Sequence, residues 1–133
     1  MSTVIIDTNG FLRLLLNDIP LQADKVEQFI EQAKKDQVKI TVPQIILFEI
    51  EFTLRKYYKA QKSDIIEKLN SLLSASYFTI ESKELFRTAL ALYESNRVSF
   101  VDCFLLAQAQ AESAELFTFD KKLSSLYKQQ GER

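Results

Sequence analysis

The most informative absence in this sequence of 133 residues is histidine, which does not occur at all. Without histidine the chain has no Ser-His-Asp triad, no imidazole acid or base, and none of the usual zinc ligand sets. A metal held by this chain would need oxygen ligands, and oxygen ligation favours Mg²⁺, Mn²⁺ or Ca²⁺. Cys103 is the single cysteine, so an intramolecular disulfide and a cysteine metal cluster are also excluded.

The chain also lacks long apolar runs, an N-terminal targeting pattern and an excess of positive charge. No apolar stretch approaches the roughly 20 residues that span a bilayer, and no basic region followed by a hydrophobic segment opens the sequence. We therefore expect a cytoplasmic protein without a membrane partner. The formal net charge of −1 gives no bulk attraction for nucleic acid, so such a partner would need a local basic patch or a bound cation.

Glycine and proline are scarce, with two of each, which indicates a helix-rich domain with short loops. Hydrophobic residues make up 47% of the chain, as expected of a compact core, and the length fits one domain over residues 1–133. Short β-type runs alternate with helical patterns, which is typical of βαβ units and a parallel sheet with helices on both faces.

The predicted elements follow from these runs. The predicted strands are 3–7, 38–42, 77–80 and 116–119. The predicted helices are 9–16, 21–36, 44–60, 62–75, 82–96, 99–113 and 120–129. We expect the first strand to be buried, Pro43 to open the third helix, Ser63 and Ser82 to begin the next two, and the polar tail to fray.

Two acidic residues lie at the carboxyl ends of predicted strands. Asp7 ends "TVIID", and Asp120 follows "LFTF". In parallel sheets, ligands bind beyond the carboxyl ends of the strands, so both carboxylates should lie on the functional rim. Each also has a structural explanation, because each can cap the helix that comes next.

Two further acids lie among apolar residues of predicted helices. The helical neighbours of Glu49 are two isoleucines and a phenylalanine, and those of Asp102 are leucines. A buried carboxylate must be protonated, paired or bound to a cation. The alternatives are that Glu49 reaches solvent at the edge of its stripe, and that Asp102 completes a Ser-x-x-Asp capping box. Glu51, with Arg55 four residues on, is expected to form an ordinary solvated ion pair.

The joint placement of the four acids favours a metal site over four separate structural roles. Several carboxylates around one rim repel one another unless a cation neutralises them. A carboxylate cluster without histidine is the kind of site that Mg²⁺ or Mn²⁺ prefers. The candidate ligands are Asp7, Glu49, Asp102 and Asp120.

At these residues the chain resembles the PIN-domain ribonucleases, over nearly its whole length. The segments that carry the resemblance are "VIIDTN", "VPQIILFEI", "SFVDCFLLAQA" and "LFTFD", in this order and at these intervals. The family's four acids fall on the four candidate ligands, and its small polar partners fall on Asn9 and Thr118. Size and layout are most similar to the VapC-type toxins of prokaryotic toxin–antitoxin pairs.

The resemblance implies an α/β fold: a three-layer α/β/α sandwich with a central parallel sheet of four to five short strands. The first strand would lie between the second and the fourth. The family often has a fifth strand after the last helix, and this chain ends at "GER", so the alternatives are that this strand is missing or that the sequence is truncated.

The resemblance also implies hydrolysis of RNA phosphodiester bonds with one or two Mg²⁺ or Mn²⁺ ions as cofactor. Asp7 and Asp102 would bind the main metal, while Glu49 and Asp120 would complete the cluster or orient water. Asn9 and Thr118 would hold the carboxylates in place by hydrogen bonds. A small antitoxin whose C-terminal segment covers the site is the expected partner, and dimers are common in the family.

Positive charge for the RNA backbone is expected in "RKYYKAQK", residues 55–62, where cations alternate with two tyrosines. The alternative is a solvated helix end at which cations favour the macrodipole. Three other cations, Arg13, Lys121 and Lys122, lie nearer the predicted rim. The candidate substrate-binding residues are Arg13, Arg55, Lys56, Lys59 and Lys121.

Other classes of protein fit the sequence less well. "VIIDTNG" also resembles the opening of haloacid-dehalogenase-type phosphatases, but Asn9 occupies their second acidic position and cannot deliver a proton. A flavodoxin-like signalling domain would need an acidic pair where only Asp7 stands. A catalytically silent PIN-like binding module would not need all four acids. A housekeeping RNA-processing nuclease is the alternative to a toxin.

Overall fold

Strands and helices alternate in the first part of the chain, whereas the second part is helical. The computed structural model describes residues 1–131, and its packing divides the chain into two units, Met1–Glu81 and Ser82–Arg133. The elements of the first unit are β1 (Ser2–Val4), α1 (Thr8–Leu16), α2 (Pro20–Lys34), β2 (Val38–Val42), α3 (Gln44–Lys56), α4 (Lys62–Ser74) and β3 (Phe78–Ile80). Those of the second are α5 (Lys83–Ser95), α6 (Phe100–Glu112) and α7 (Lys121–Gly131).

The sheet of the first unit is parallel, as the sequence predicts. Its order is β1-β2-β3, with Val4 opposite Ile40 and Val42 opposite Ile80. A helix pair forms each crossover, α1 and α2 between the first two strands and α3 and α4 between the next two. Parallel neighbours need such long connections because the chain must return to the same end of the sheet.

The prediction of four to five strands is wrong for residues 1–131, which form three. The segment 116–119 pairs with no strand there, and Phe117 and Phe119 are 78% and 90% exposed. An alternating apolar pattern supplies suitable side chains, but a strand exists only where its backbone groups find partners. Four residues are too few for the pattern to decide.

The first strand is shorter and more exposed than predicted. It ends at Val4 rather than Asp7, and Ser2 and Thr3 are exposed. The prediction of a buried strand is wrong because β1 is an edge strand within the described sheet, with only β2 beside it. Burial begins two residues later, at Ile6.

Helix starts agree with the sequence in some places and depart from it in others. Pro43 is the N-cap of α3, directly before the helix that it is predicted to open. Ser63 is not the N-cap of α4, because Gln61 takes that position and its carbonyl accepts the Ile65 N–H at 3.0 Å. Ser82 is the residue directly before α5, as predicted, and it has a left-handed conformation with φ 60°. Residues 132–133 of the tail predicted to fray lie outside the described part of the chain.

Each unit has its own apolar packing. In the first, Ile40 of β2 and Phe11 of α1 are fully buried, and the Phe11 ring meets that of Phe78 edge to face at 5.4 Å. In the second, the Phe86 ring of α5 lies 4.8 Å from that of Phe104 on α6. These contacts hold the helices that carry candidate acids. No helix within residues 1–131 has the length and apolar character to cross a bilayer.

Candidate metal centre

Asp7 is the N-cap of α1 and lies exposed at its start. One carboxylate oxygen, Oδ1, accepts the backbone N–H of Gly10 at 2.8 Å. The turn is tight, since a Cβ added at Gly10 would lie 2.5 Å from Cγ2 of Ile6. The predicted capping role is confirmed, and Gly10 is a residue of this cap that sequence reasoning missed. The signal that could have found it is a glycine in the first turn after a capping acid.

Glu49 is exposed rather than buried in the apolar stripe of α3. Ile45 and Phe52, its neighbours one turn away on either side, are themselves 58% and 37% exposed. Two of the three apolar neighbours of Glu49 thus lie on a partly solvent-facing side of the helix, whereas the third, Ile46, is buried. Glu49 therefore reaches solvent, as one of the alternatives predicts, and the prediction that it is a metal ligand stays a prediction.

The buried carboxylate on this helix is Glu51, with 3% of its surface exposed. Arg55 Nε donates to Glu51 Oε2 at 2.8 Å, and 52% of the arginine side chain is exposed. The predicted ion pair is confirmed, but the prediction that Glu51 is solvated is wrong. One helical turn lets the long arginine side chain cover the acid while its own charge stays in water. The charge of Glu51 is thereby compensated without a metal.

Asp102 is half-buried in the first turn of α6. Its backbone N–H donates to Oγ of Ser99, the N-cap residue, at 3.2 Å, which is one of the two bonds of a capping box. The next residue, Cys103, is fully buried, and its Sγ lies 3.6 Å from the carbonyl oxygen of Val98. Packing on one side and the cap on the other fix the backbone at Asp102.

Asp120 caps α7 and is exposed. Its Oδ1 accepts the Leu123 N–H at 2.8 Å, as its predicted capping role requires. Its own N–H donates to Oγ1 of Thr118 at 3.0 Å. The threonine thus contacts this acid through the backbone, not through the carboxylate. Asn9, the other small polar candidate, is exposed in the first turn of α1.

The four acids form two pairs along the chain. Asp7 and Glu49 belong to α1 and α3 of the first unit, which pack against each other. Asp102 and Asp120 stand at the N-terminal ends of α6 and α7 of the second unit, which also pack together. Over residues 1–131 no three acidic or cysteine side chains form a group arranged to hold a metal. By type, the four donors are the hard oxygen ligands that suit Mg²⁺ and Mn²⁺.

The candidate RNA-binding cation on α1, Arg13, already has protein partners. Its Nη1 lies 3.2 Å from Asp18 Oδ2, and its Nη2 donates to the Tyr58 hydroxyl at 2.9 Å. Its Nε is buried without a hydrogen-bond partner in the described structure. These contacts tie α1 to the loop after α3, so the guanidinium serves packing within the first unit.

The remaining candidate cations differ in how free they are. Arg55 is held by the buried acid of α3, and Lys56 Nζ lies 5.4 Å from the centre of the Phe52 ring. Lys59 follows α3 in a left-handed conformation with φ 54°. Lys121 is exposed in the first turn of α7. Lys59 and Lys121 are both exposed, and no ion pair within the described residues holds either of them.

The first unit has a parallel sheet with a helix pair in each crossover. Asp7 and Asp120 cap helices that follow strand-like segments. These features define an α/β protein with carboxylates at helix starts. The PIN domain family model matches residues 4–129, so the chain belongs to this family. It is 27% identical over 123 residues to a VapC ribonuclease of Aquifex aeolicus (strain VF5), and the match covers 92% of this chain and 90% of that protein. No solved structure gives a significant match. The resemblance found in the sequence is confirmed.

Proposed function

We propose that this protein is a ribonuclease that hydrolyses RNA phosphodiester bonds and is the toxin of a toxin–antitoxin pair. The observation that carries the proposal is the match to the PIN domain family over residues 4–129, in a chain that has the four acids of the resemblance. The similarity to a VapC ribonuclease supports the toxin assignment. The family match extends over both units, which supports one PIN-like domain over residues 1–133.

The proposed cofactor is Mg²⁺ or Mn²⁺. Asp7 and Asp102 are the proposed main ligands, and Glu49 and Asp120 complete the set or orient the attacking water. When bound, the ion supplies an activated nucleophile at neutral pH and stabilises charge that develops on the phosphate. The chemistry of the donors supports this choice, since carboxylate oxygens are what these ions bind and the chain has no histidine.

The chain's own contribution to this chemistry is to hold carboxylates in place before a ligand arrives. Asp7 and Asp120 each fix one oxygen in a helix cap, at 2.8 Å, which limits rotation of the side chain and leaves the other oxygen outside the cap. A carboxylate held in this way needs little rearrangement when it meets a cation or an attacking water. Thr118 restricts the backbone of Asp120 further.

The proposed partners are RNA as substrate and a small antitoxin that covers the acids. An inhibitor of this kind would place a cation among the carboxylates in place of the metal. The proposal includes a cytoplasmic location, where RNA and antitoxin meet the enzyme, and a homodimer as the form in which the family commonly occurs. A housekeeping RNA-processing nuclease is the alternative, and it predicts no inhibitory partner.

The proposal is tested by incubating defined RNAs with the purified protein in EDTA, Mg²⁺ or Mn²⁺. Cleavage should appear only with a divalent ion and should disappear in Asp7→Asn. Asp24→Asn is the matched control, because Asp24 is an exposed aspartate on α2 outside the candidate set. Cleavage that persists in EDTA, or that Asp7→Asn leaves unchanged, would overturn the mechanism.

The toxin assignment is tested separately in cells. Expression of the wild-type chain should arrest growth, and co-expression of a small protein encoded beside it should restore growth. Asp7→Asn should not arrest growth. A wild-type chain that cleaves RNA in vitro but leaves growth unchanged would favour the housekeeping nuclease.

A further inference from the structure

Two phenylalanine side chains lie in solvent just before α7. Phe117 is 78% exposed and Phe119 is 90% exposed. Their rings meet edge to face, with centroids 5.1 Å apart and planes at 78°. The hydrogen bond from Asp120 to Thr118 restrains the segment that carries them. Single exposed apolar residues are common, but two adjoining rings form a contiguous apolar patch, and such patches are where proteins bind ligands and partners.

Four cations of the second unit line two surface cavities that share Lys121, and one of these cavities also includes Thr118 and Phe119. Lys121, Lys122 and Arg97 line a surface cavity with a volume of about 340 Å³. Lys121 also lines a second surface cavity, with a volume of about 430 Å³, together with Phe119 and Lys128. Among the residues described, none of the four cations forms an ion pair. Aromatic faces and uncompensated positive charge therefore occupy one part of the second unit.

We propose that this aromatic–basic surface, formed by the two phenylalanines and the four cations, binds the unpaired bases and phosphates of single-stranded RNA. The inference rests on the proposed function, because it identifies where that nuclease holds its substrate. Bases stack on exposed aromatic rings, and lysine and arginine neutralise the backbone. A net charge of −1 for the whole chain means that RNA must be attracted locally, and these cations supply the attraction.

The geometry of the rings favours single strands over duplexes. Planes at 78° cannot both extend one continuous base stack, so each ring needs a base that has turned out of its neighbours' stack. Bases within a duplex are paired and stacked, so apart from the outer faces of the terminal pairs their faces are not accessible to a side chain. Unpaired loops and linear single strands meet this requirement.

The charge of the surface also distinguishes RNA from a second copy of the chain. A two-fold dimer through this surface would bring the same four cations towards themselves. Like charges opposed across an interface are unfavourable, whereas a polyanion neutralises all four. The surface therefore favours RNA as its occupant.

Binding can be measured without cleavage by fluorescence anisotropy of a labelled, unstructured 20-nucleotide RNA in EDTA. The double variant Phe117→Leu/Phe119→Leu keeps apolar bulk and removes both π faces, so its Kd should rise about tenfold or more. Phe29→Leu is the matched control, because Phe29 is a 41% exposed phenylalanine on α2. The wild type should bind a hairpin-free single strand at least about tenfold more tightly than the same sequence as a duplex.

A second pair of variants tests the cations. Lys121→Gln/Lys122→Gln should weaken binding and reduce the slope of log K against log salt by about 0.7 for each phosphate that the variant no longer neutralises. Lys25→Gln, on the exposed side of α2, should leave both values unchanged. Circular dichroism checks each variant, and if the phenylalanine variant is unfolded, the lysine variants decide the question.

Each result supports or overturns the inference. An unchanged Kd in the folded phenylalanine variant, or an unchanged Kd and salt slope in the lysine variant, overturns it. Light scattering that shows a wild-type dimer and a monomeric phenylalanine variant of equal RNA affinity also overturns it and assigns the surface to a second copy. A wild type that binds RNA through this surface but cleaves nothing with Mg²⁺ or Mn²⁺ overturns the proposed function and leaves the inference in place.

Discussion

At the scale of single residues, Asp7 has two roles that substitutions can separate. It caps α1 through Oδ1, and it is proposed to bind a metal. Asparagine is as good an N-cap as aspartate, whereas alanine has no side-chain acceptor. Asp7→Asn thus removes the charge and keeps the cap, whereas Asp7→Ala removes both.

Asp7→Asn should leave the free energy of unfolding within about 0.5 kcal/mol of wild type, because the amide oxygen still accepts the Gly10 N–H. Asp7→Ala should lose about 1 kcal/mol more. Both variants should be inactive in the cleavage assay with Mn²⁺. Urea unfolding and cleavage rates, measured side by side, separate the two roles, and an active Asp7→Asn would restrict Asp7 to its cap.

The buried ion pair on α3 gives a prediction about stability alone. Arg55→Met removes the guanidinium that donates to the buried carboxylate of Glu51, so the free energy of unfolding should fall by roughly 1–3 kcal/mol. Glu31→Gln is the control, since its pair with Lys34 is exposed on both sides and should be worth less than about 0.5 kcal/mol. Equal effects in urea unfolding would mean that burial does not distinguish the two pairs.

At the scale of elements, helix starts determine where three of the candidate acids lie. The first turn of α1 closes over Ile6, and Gly10 makes this approach possible by having no side chain. Elsewhere in a helix, alanine in place of glycine stabilises by roughly 0.5–1 kcal/mol. Here the added methyl group would displace the residue directly before Asp7.

Gly10→Ala should therefore lower the free energy of unfolding by about 1–3 kcal/mol, the usual cost of overpacking. It should also reduce cleavage, because Ile6 adjoins the proposed ligand. Gly131→Ala is the control, since a Cβ there has open space around it and should change stability by less than about 0.5 kcal/mol. A stabilised Gly10→Ala variant would show that the turn opens without cost.

Most elements can be predicted from the sequence, and the failures have local causes. The prediction of Val38–Val42 has both bounds correct, because its alternating residues have paired strands on both sides. The segment 116–119 has a similar pattern but no partner in residues 1–131, and pairing cannot be read from four residues. Ser63 suits a helix cap by residue type, but α4 already begins one residue before it.

The candidate site can be predicted in part for comparable reasons. The caps at Asp7 and Asp120 depend on local chain geometry, which residue type and position indicate well. The burial of Glu49 and Glu51 depends on which side of α3 faces the core. Residues two apart on a helix point to nearly opposite sides, and apolar residues flank both acids, so the pattern alone does not decide which of the two sides is buried.

At the scale of the whole molecule, binding of the proposed metal should make the free energy of unfolding depend on the four acids. A ligand that binds only the folded state stabilises it, by about 2.7 kcal/mol at 100 times its Kd. Two of the proposed ligands, Asp7 and Asp102, belong to different units. Their separate substitution therefore tests whether both contribute to one binding event.

Mn²⁺ at about 100 times its Kd should raise the free energy of unfolding of the wild type by about 2.7 kcal/mol. Asp7→Asn and Asp102→Asn should each lose most of this gain, while Asp24→Asn should keep it. Thermal or urea unfolding with and without Mn²⁺ measures the effect. A gain that survives in Asp102→Asn but not in Asp7→Asn would assign the ion to the acids of the first unit alone.

The buried thiol beside Asp102 supplies a reporter that needs no engineering. Cys103 is the single cysteine of the chain and is fully enclosed in α6 of the second unit. A thiol reagent can modify it only when the surrounding helices open, so the labelling rate measures how often this opening occurs in the native protein. The labelling rate of the unmodified chain thus reports how often the second unit, which contains Asp102 and Asp120, opens around Cys103.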